Sequence, residues 1–358
     1  MSSEIPGCKQ FRKNSGGPNS SLITHYSSSL SCNLQIYFMY DSNSKGISYL
    51  GGFFILIAFA VAGIIIGSLI SIPIWMVMTG KNLIAMKDEL GNPAYSNAFK
   101  VMQAVSTFFG FFLPTILTAN LLSRKPLKLI GFTKKINGRQ VLLVLGIMFA
   151  GLYTAASFGY LNQHIPLPSS WGKYFQKLEN NYNQQVNAIM QLKTFGDYLV
   201  GIIIMAFLPA LCEETLFRGG LQNFLTRSIK NPWLAILIVS ILFSLVHLSF
   251  YGFLVRLFLG VVLGLIYYYT GSVWLCIIGH FANNAFAVSQ YYFSNVRPMK
   301  EMTTENTPLV MFFVGLIALP ILIILLALLK KVSPPPEEEK KFSFEEIQNK
   351  PPWEIDSR

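Results

Sequence analysis

Long apolar runs separated by short polar breaks make up most of this 358-residue chain. The runs fall at about 49–78, 100–122, 141–161, 198–226, 233–250, 253–269, 272–292 and 308–329. Each comes near the roughly 20 residues that a helix needs to cross about 30 Å of hydrocarbon. They predict an all-α, polytopic membrane bundle of about eight transmembrane helices. The fourth run stays compatible with a helix to about Thr226, ahead of the break at Asn231-Pro232, and Thr270-Gly271-Ser272 predicts a very tight turn between the sixth and seventh. The polar stretch 162–197 carries Trp171, Tyr174 and Tyr182 in amphipathic pieces, which reads as an interfacial loop or short helix. Residues 1–47 are rich in Ser, Asn and Gly and hold no apolar core of a signal peptide, so they are expected to be disordered. Residues 331–358 are Pro-rich and charged, and the same is expected of them. That leaves 48–330 as one eight-span domain.

Composition agrees with the pattern. Hydrophobic residues make up 52% and charged residues 13% of the chain, against about 25% charged in a soluble domain. The net charge of +11 does not signal nucleic acid, because the basic residues sit mainly between the runs. The segment 123–140 holds Arg124, Lys125, Lys128, Lys134, Lys135 and Arg139 with no acid; Arg218, Arg227 and Lys230 follow the fourth run, and Lys330-Lys331 the eighth. Eight spans with both termini cytoplasmic put every strongly basic loop inside. The expected setting is therefore a multi-pass protein in lipid, in the plasma (inner) membrane if the source is bacterial. Cys8, Cys32, Cys212 and Cys276 show no paired spacing of a disulfide framework or thiolate zinc site.

The chemistry concentrates in three runs. The fourth contains MAFLPALCEETLFRGG, with Glu213, Glu214 and Arg218 inside apolar sequence. An ionisable group at mid-membrane costs about 2.5–3.5 kcal/mol on insertion scales. Glu214 and Arg218 are i,i+4 neighbours and can neutralise each other. Glu213 points about 100° away and is left free. The fifth run places His247 four residues after Phe243, and the seventh places Asn284 four residues after His280, so each pair shares a helix face. Converging in the bundle, Glu213, His247, His280 and Asn284 suit peptide-bond hydrolysis. A desolvated Glu213 serves as general base on a water. His247 holds that water and later protonates the leaving amine, while His280 and Asn284 donate to the oxyanion. The same Glu213, His247 and His280 could instead form a three-ligand zinc shell.

These segments resemble a known family. Glu213-Glu214-Thr-Leu-Phe-Arg218 is similar to its EExxxR motif, Phe243-Ser-Leu-Val-His247 to FxxxH, and His280-Phe-Ala-Asn-Asn284 to HxxxN. Together, over about 195–292, they resemble the CAAX prenyl protease and bacteriocin-processing (CPBP, or Abi) family of intramembrane proteases, which includes Rce1-type CAAX endopeptidases. The resemblance implies an all-helical membrane endopeptidase. Its catalytic residues would be Glu213, His247, His280 and Asn284, with Glu214 and Arg218 supporting and Phe243 at most lining the pocket. Its substrate would be a membrane-associated peptide or protein, CAAX-like or leader-bearing, reached through the membrane or from the cytoplasmic face, with membrane lipid as the other partner. A glutamate-activated water with no cofactor is favoured over zinc, because no compact two-histidine zinc motif is present. Two readings of other classes stand beside it: a transporter, which would use buried Glu, His and Arg as a relay, and a non-catalytic immunity or scaffold protein. No inverted repeat supports the first, and the second leaves all four filled positions unexplained.

Overall fold

The computed structural model describes residues 43–89, 91–293 and 308–333. Among them the regular elements are helical and no strand occurs. The helices that position the site are α1 (Tyr49–Thr79), α2 (Pro93–Leu122), α3 (Gly138–Gln163), α4 (Ser169–Ile189), α5 (Phe195–Ile229), α6 (Pro232–Leu245), α7 (Phe253–Thr270), α8 (Val273–Phe293) and α9 (Leu309–Val332). Each of the eight apolar runs folds as a helix. Six of these helices, α1, α2, α3, α5, α7 and α9, are long and apolar enough to cross a membrane. At 14 residues α6 is shorter. The 21 residues of α8 are long enough, but His280, Asn283 and Asn284 dilute their apolar character. The chain is an integral membrane protein with an all-α polytopic fold.

Several boundaries differ from the apolar pattern. The fourth run extends to both sides as the continuous α5, because Thr194 caps its first turn in a capping box with Asp197. It ends where Lys230 turns left-handed (φ 54°) and Asn231 caps α6. The fifth run stops at Leu245 rather than 250, so His247 lies in a turn beyond the helix. The stretch 162–197 holds the 21-residue α4. Lys45 already binds the carbonyls of Asn120 and Leu122, so structure begins before residue 48. The expectations of disorder for 1–42 and 334–358 lie outside the described residues. Of the three π-helical stretches among the described residues, Phe108–Phe112 and Ile202–Phe207 come just before a proline, Pro114 and Pro209, whereas Thr215–Gln222, which carries Arg218, does not. A proline ring clashes with the carbonyl four residues back, and a wider turn relieves that clash.

Alongside a smaller apolar core of Trp75, Ala98, Phe99 and Ala188 that joins α1, α2 and α4, two large apolar cores hold the bundle. One joins α3, α7, α8 and α9 through residues such as Ile147, Leu263, Cys276 and Leu322. The other joins α1, α2, α5 and α6 through Leu56, Leu122, Phe224 and Val239. Helix α5 meets α7 along a polar seam. Arg218 Nη2 donates to Gly260 O and Gln222 Nε2 to Gly264 O, at 3.0 and 2.9 Å. The Gly260–Gly264 pair therefore packs within one chain and leaves its carbonyls open to polar side chains. A Cβ on Gly264 would stand 2.9 Å from Ile236 Cγ2 and 3.0 Å from Gln222 Oε1. Gly264→Val is expected to overpack this seam, costing about 1–3 kcal/mol. A lowered thermal midpoint of the detergent-purified protein would show it; an unchanged midpoint would contradict the tight seam.

Candidate active site

The site is assembled at mid-bundle by α5, the α6–α7 turn and α8. Arg218, which marks its level, binds Gly260, about 10 Å along α7 from Phe253 and about 15 Å from Thr270. Glu214 and Arg218 are 0% and 1% exposed, and Arg218 Nη1 donates to Glu214 Oε1 at 3.0 Å. The same Oε1 accepts His280 Nδ1 at 2.7 Å. Glu214 is thus held by two donors from two helices, and a line of contacts runs from Gly260 O through Arg218 and Glu214 to His280. A carboxylate accepts, so His280 donates through Nδ1–H and turns Nε2 outward. That Nε2 lies 4.0 Å from Glu213 Oε2. Glu213 makes no hydrogen bond to another described residue, and its side chain is 14% exposed. The two adjacent carboxylates divide as the i,i+4 spacing predicts: one bound, one free.

His247 is fixed differently. Helix α6 ends before it, and Leu248 beyond it adopts φ 50°, a left-handed conformation that a branched side chain pays for with about 1–2 kcal/mol. The ring is tied back to its own helix, with Nδ1 2.7 Å from Phe243 O. A carbonyl only accepts, so Nδ1 carries the hydrogen and Nε2 keeps its lone pair. Phe243 also packs its ring against His247 (5.1 Å), His280 (6.0 Å) and Phe217 (5.1 Å), with the Arg218 guanidinium 4.9 Å from its centroid. Spacing alone marks Phe243 as a packing residue; the carbonyl that sets the His247 tautomer is invisible to it. Asn284 lies one turn beyond His280 on α8, and its Oδ1 accepts from Asn283 Nδ2 at 3.3 Å.

The turn that carries His247 is braced from outside. Asn162 of α3 donates to Phe250 O and accepts from Leu254 N. Ser244 Oγ donates to Phe253 O, and Ser249 Oγ donates to Glu179 of α4 at 2.7 Å. The Phe175 ring of α4 stacks on Phe250, 4.5 Å between centroids. None of these braces stands out in the sequence. Arg256 does: a lone cation in the sixth apolar run is a functional signal by the same cost argument that singles out Arg218. Its guanidinium lies over the Tyr182 ring of α4 at 5.1 Å.

Glu213, His247 and His280 would be the ligands of a zinc ion. Among the described residues no group of three or more His, Cys, Asp or Glu side chains is arranged to hold a metal. His280 Nδ1 is already committed to Glu214. Cys212 and Cys276 are buried free thiols, and Cys276 donates to helix carbonyls as a core residue.

Because Arg218 neutralises a fully buried carboxylate, Arg218→Leu is expected to cost about 3–5 kcal/mol. Replacing both partners, Glu214→Leu with Arg218→Leu, should restore much of that stability in a detergent melt. A single variant as stable as the parent would refute the pairing.

Residues 195–286 match the family described as type II CAAX prenyl endopeptidase, Rce1-like. No curated protein and no solved structure matches the chain. The matched segment contains the bound and free carboxylates, the α6–α7 turn and His280 with Asn284. Over that segment, about a quarter of the chain, this membrane protein is similar to the Rce1-like, type II CAAX prenyl endopeptidase family.

Proposed function

We propose that the protein is a CAAX-type intramembrane endopeptidase in which Glu213 activates the attacking water and His247, His280 and Asn284 assist. The observation that carries this reading is the free carboxylate of Glu213 beside the outward Nε2 of His280, 4.0 Å apart. The gap leaves a position where a water and a scissile carbonyl can meet a base and a donor together. Glu213 takes a proton from the water, whose oxygen bonds to the carbonyl carbon. The carbonyl π pair moves to oxygen, and the oxyanion so formed accepts from the Asn284 amide and from His280, which donates through Nε2–H as the imidazolium held between Glu213 and Glu214. When the pair returns, the C–N bond breaks. The amine leaves with the proton that Glu213 took, relayed through His247 Nε2, the nitrogen that Phe243 O leaves free.

Glu214, Arg218 and Phe243 act through the residues they hold: Glu214 and Arg218 orient His280, and Phe243 orients His247. No metal enters these steps. The substrate class that fits is a membrane-associated peptide or protein, CAAX-like or leader-bearing, reached from the lipid. With both termini cytoplasmic, as the basic loops favour, α4 lies on the opposite face. The polybasic end of α8 is the sealed one, with Leu275, Cys276 and Ile277 buried, whereas half-buried positions run on from Phe281.

In a cleavage assay with detergent-purified protein and CAAX-type peptides, Glu213→Gln and His247→Ala are each expected to lose at least about 10²-fold in kcat. A chelator should leave the parent unchanged. Activity lost to chelator and restored by zinc would overturn the glutamate mechanism while keeping the hydrolase. Glu214→Gln should lower kcat with little change in KM, since it alters how His280 is held and not how substrate binds.

A further inference from the structure

One end of the bundle carries cations and no described carboxylate. The connection between α2 and α3 is held there from its inner side. Asn223 Nδ2 of α5 donates to Leu129 O at 2.6 Å. At the start of α8, Trp274 Nε1 donates to Phe132 O and Val273 N to Gly131 O, at 3.1 and 3.3 Å. The outer side leaves Arg124, Lys125, Lys135 and Arg139 exposed, with Leu127 and Ile136 exposed among them. Helix α9 ends at the same place, where Gln140 Nε2 donates to Ser333 Oγ at 3.2 Å in a buried contact. Lys330 of α9 lies over the Tyr269 ring, and Lys134 runs alongside Gly271, so both flank the α7–α8 turn. The described carboxylates, Asp88, Glu89, Glu179, Asp197, Glu213 and Glu214, all belong to mid-bundle or to the opposite end.

Like charges crowded on one surface repel each other and attract an anionic partner. The chain beyond Ser333 has that chemistry. Residues 334–358 hold seven of the chain's 17 acidic residues against four basic ones, with Glu337, Glu338, Glu339, Glu345 and Glu346 in their first half. At no more than about 3.6 Å per residue, Glu337–Glu339 stay within roughly 14–22 Å of Ser333. They are therefore within reach of Arg139 and Lys135, close neighbours of Gln140 in the chain. A tether this short sets an effective concentration of about millimolar, which a competing anion has to exceed. Phe342 and Phe344 stand between the two acidic groups and match the exposed Leu127 and Ile136 in kind. We propose that residues 337–346 dock on the α2–α3 connection and the end of α9, with carboxylates against the exposed cations and the two Phe rings against Leu127 and Ile136. Because the connection grips both α5 and α8, the docked segment braces at one end the two helices that carry Glu213 and His280.

The test is lysine-directed cross-linking of the full-length protein in uncharged detergent at low salt, read by mass spectrometry. Lys340 and Lys341 are the probes on the docking segment, and Lys125 and Lys135 those on the connection. A short amine-reactive reagent is expected to join the two sets. The comparison is a variant carrying Glu337→Gln, Glu338→Gln, Glu339→Gln, Glu345→Gln and Glu346→Gln, which keeps the same tether and the same lysines. Its cross-link yield is expected to fall at least about fivefold once these exposed charge pairs are lost. The parent in 1 M salt should fall likewise, because the Debye length there is about 3 Å. A yield unchanged in either comparison overturns the proposal, since the tether alone would then account for the cross-links. The same measurement in nanodiscs of zwitterionic and of anionic phospholipid distinguishes the occupants. Cross-links kept in both support the docked segment, and cross-links lost in the anionic discs overturn it in favour of lipid headgroups. No cleavage is read, so the outcome is independent of the protease reading.

Discussion

The structure depends on one constraint: a carboxylate at the centre of an apolar bundle has to be neutralised where it stands. Glu214 is fully buried, and the bundle brings Arg218 from its own helix and His280 from α8 to the same oxygen. Those contacts fix the depth and rotation of α5 relative to α8. Arg218 in turn needs an acceptor for its second nitrogen, and the Gly260 carbonyl supplies one, while the absence of a Cβ there lets α7 lie close against Ser240 of α6. Gln222 repeats the device one turn on, at Gly264. What looks like a site residue and what looks like a packing motif are two ends of one hydrogen-bonded seam.

The second constraint concerns His247, which no ion pair holds. A histidine on a regular helix would have its rotamer set by neighbouring side chains. Here the helix stops, the chain accepts left-handed backbone at Leu248, and the ring is tied to the Phe243 carbonyl that the end of the helix makes available. Such strain persists only where surrounding structure over-determines it. Asn162, Ser244 and the α4 contacts at Ser249 and Phe250 are that surrounding structure. Two residues of one chemical type are therefore positioned by opposite means: His280 by charge in a rigid helix, His247 by backbone in a braced turn.

This contrast explains what the sequence revealed and what it hid. Apolar runs located the helices, because lipid imposes one length scale on all of them. The i,i+4 step exposed the Glu214–Arg218 pair, since both residues lie on one helix and periodicity is a within-helix property. The end of α6 at Leu245 left no such trace: Val246, Leu248 and Phe250 are as apolar as a continuing helix would be. The bracing of that turn comes from α3 and α4, distant in sequence, so no local pattern could encode it. Arg256 was legible by the cost of a charge in an apolar run, yet its neighbours are so strongly helical that it read as part of a span. The stretch 162–197 read as an interfacial loop or short helix from its amphipathic pieces, but composition could not show that Glu179 and Asn183 of the helix it forms are buried, because their neighbours come from elements distant in sequence.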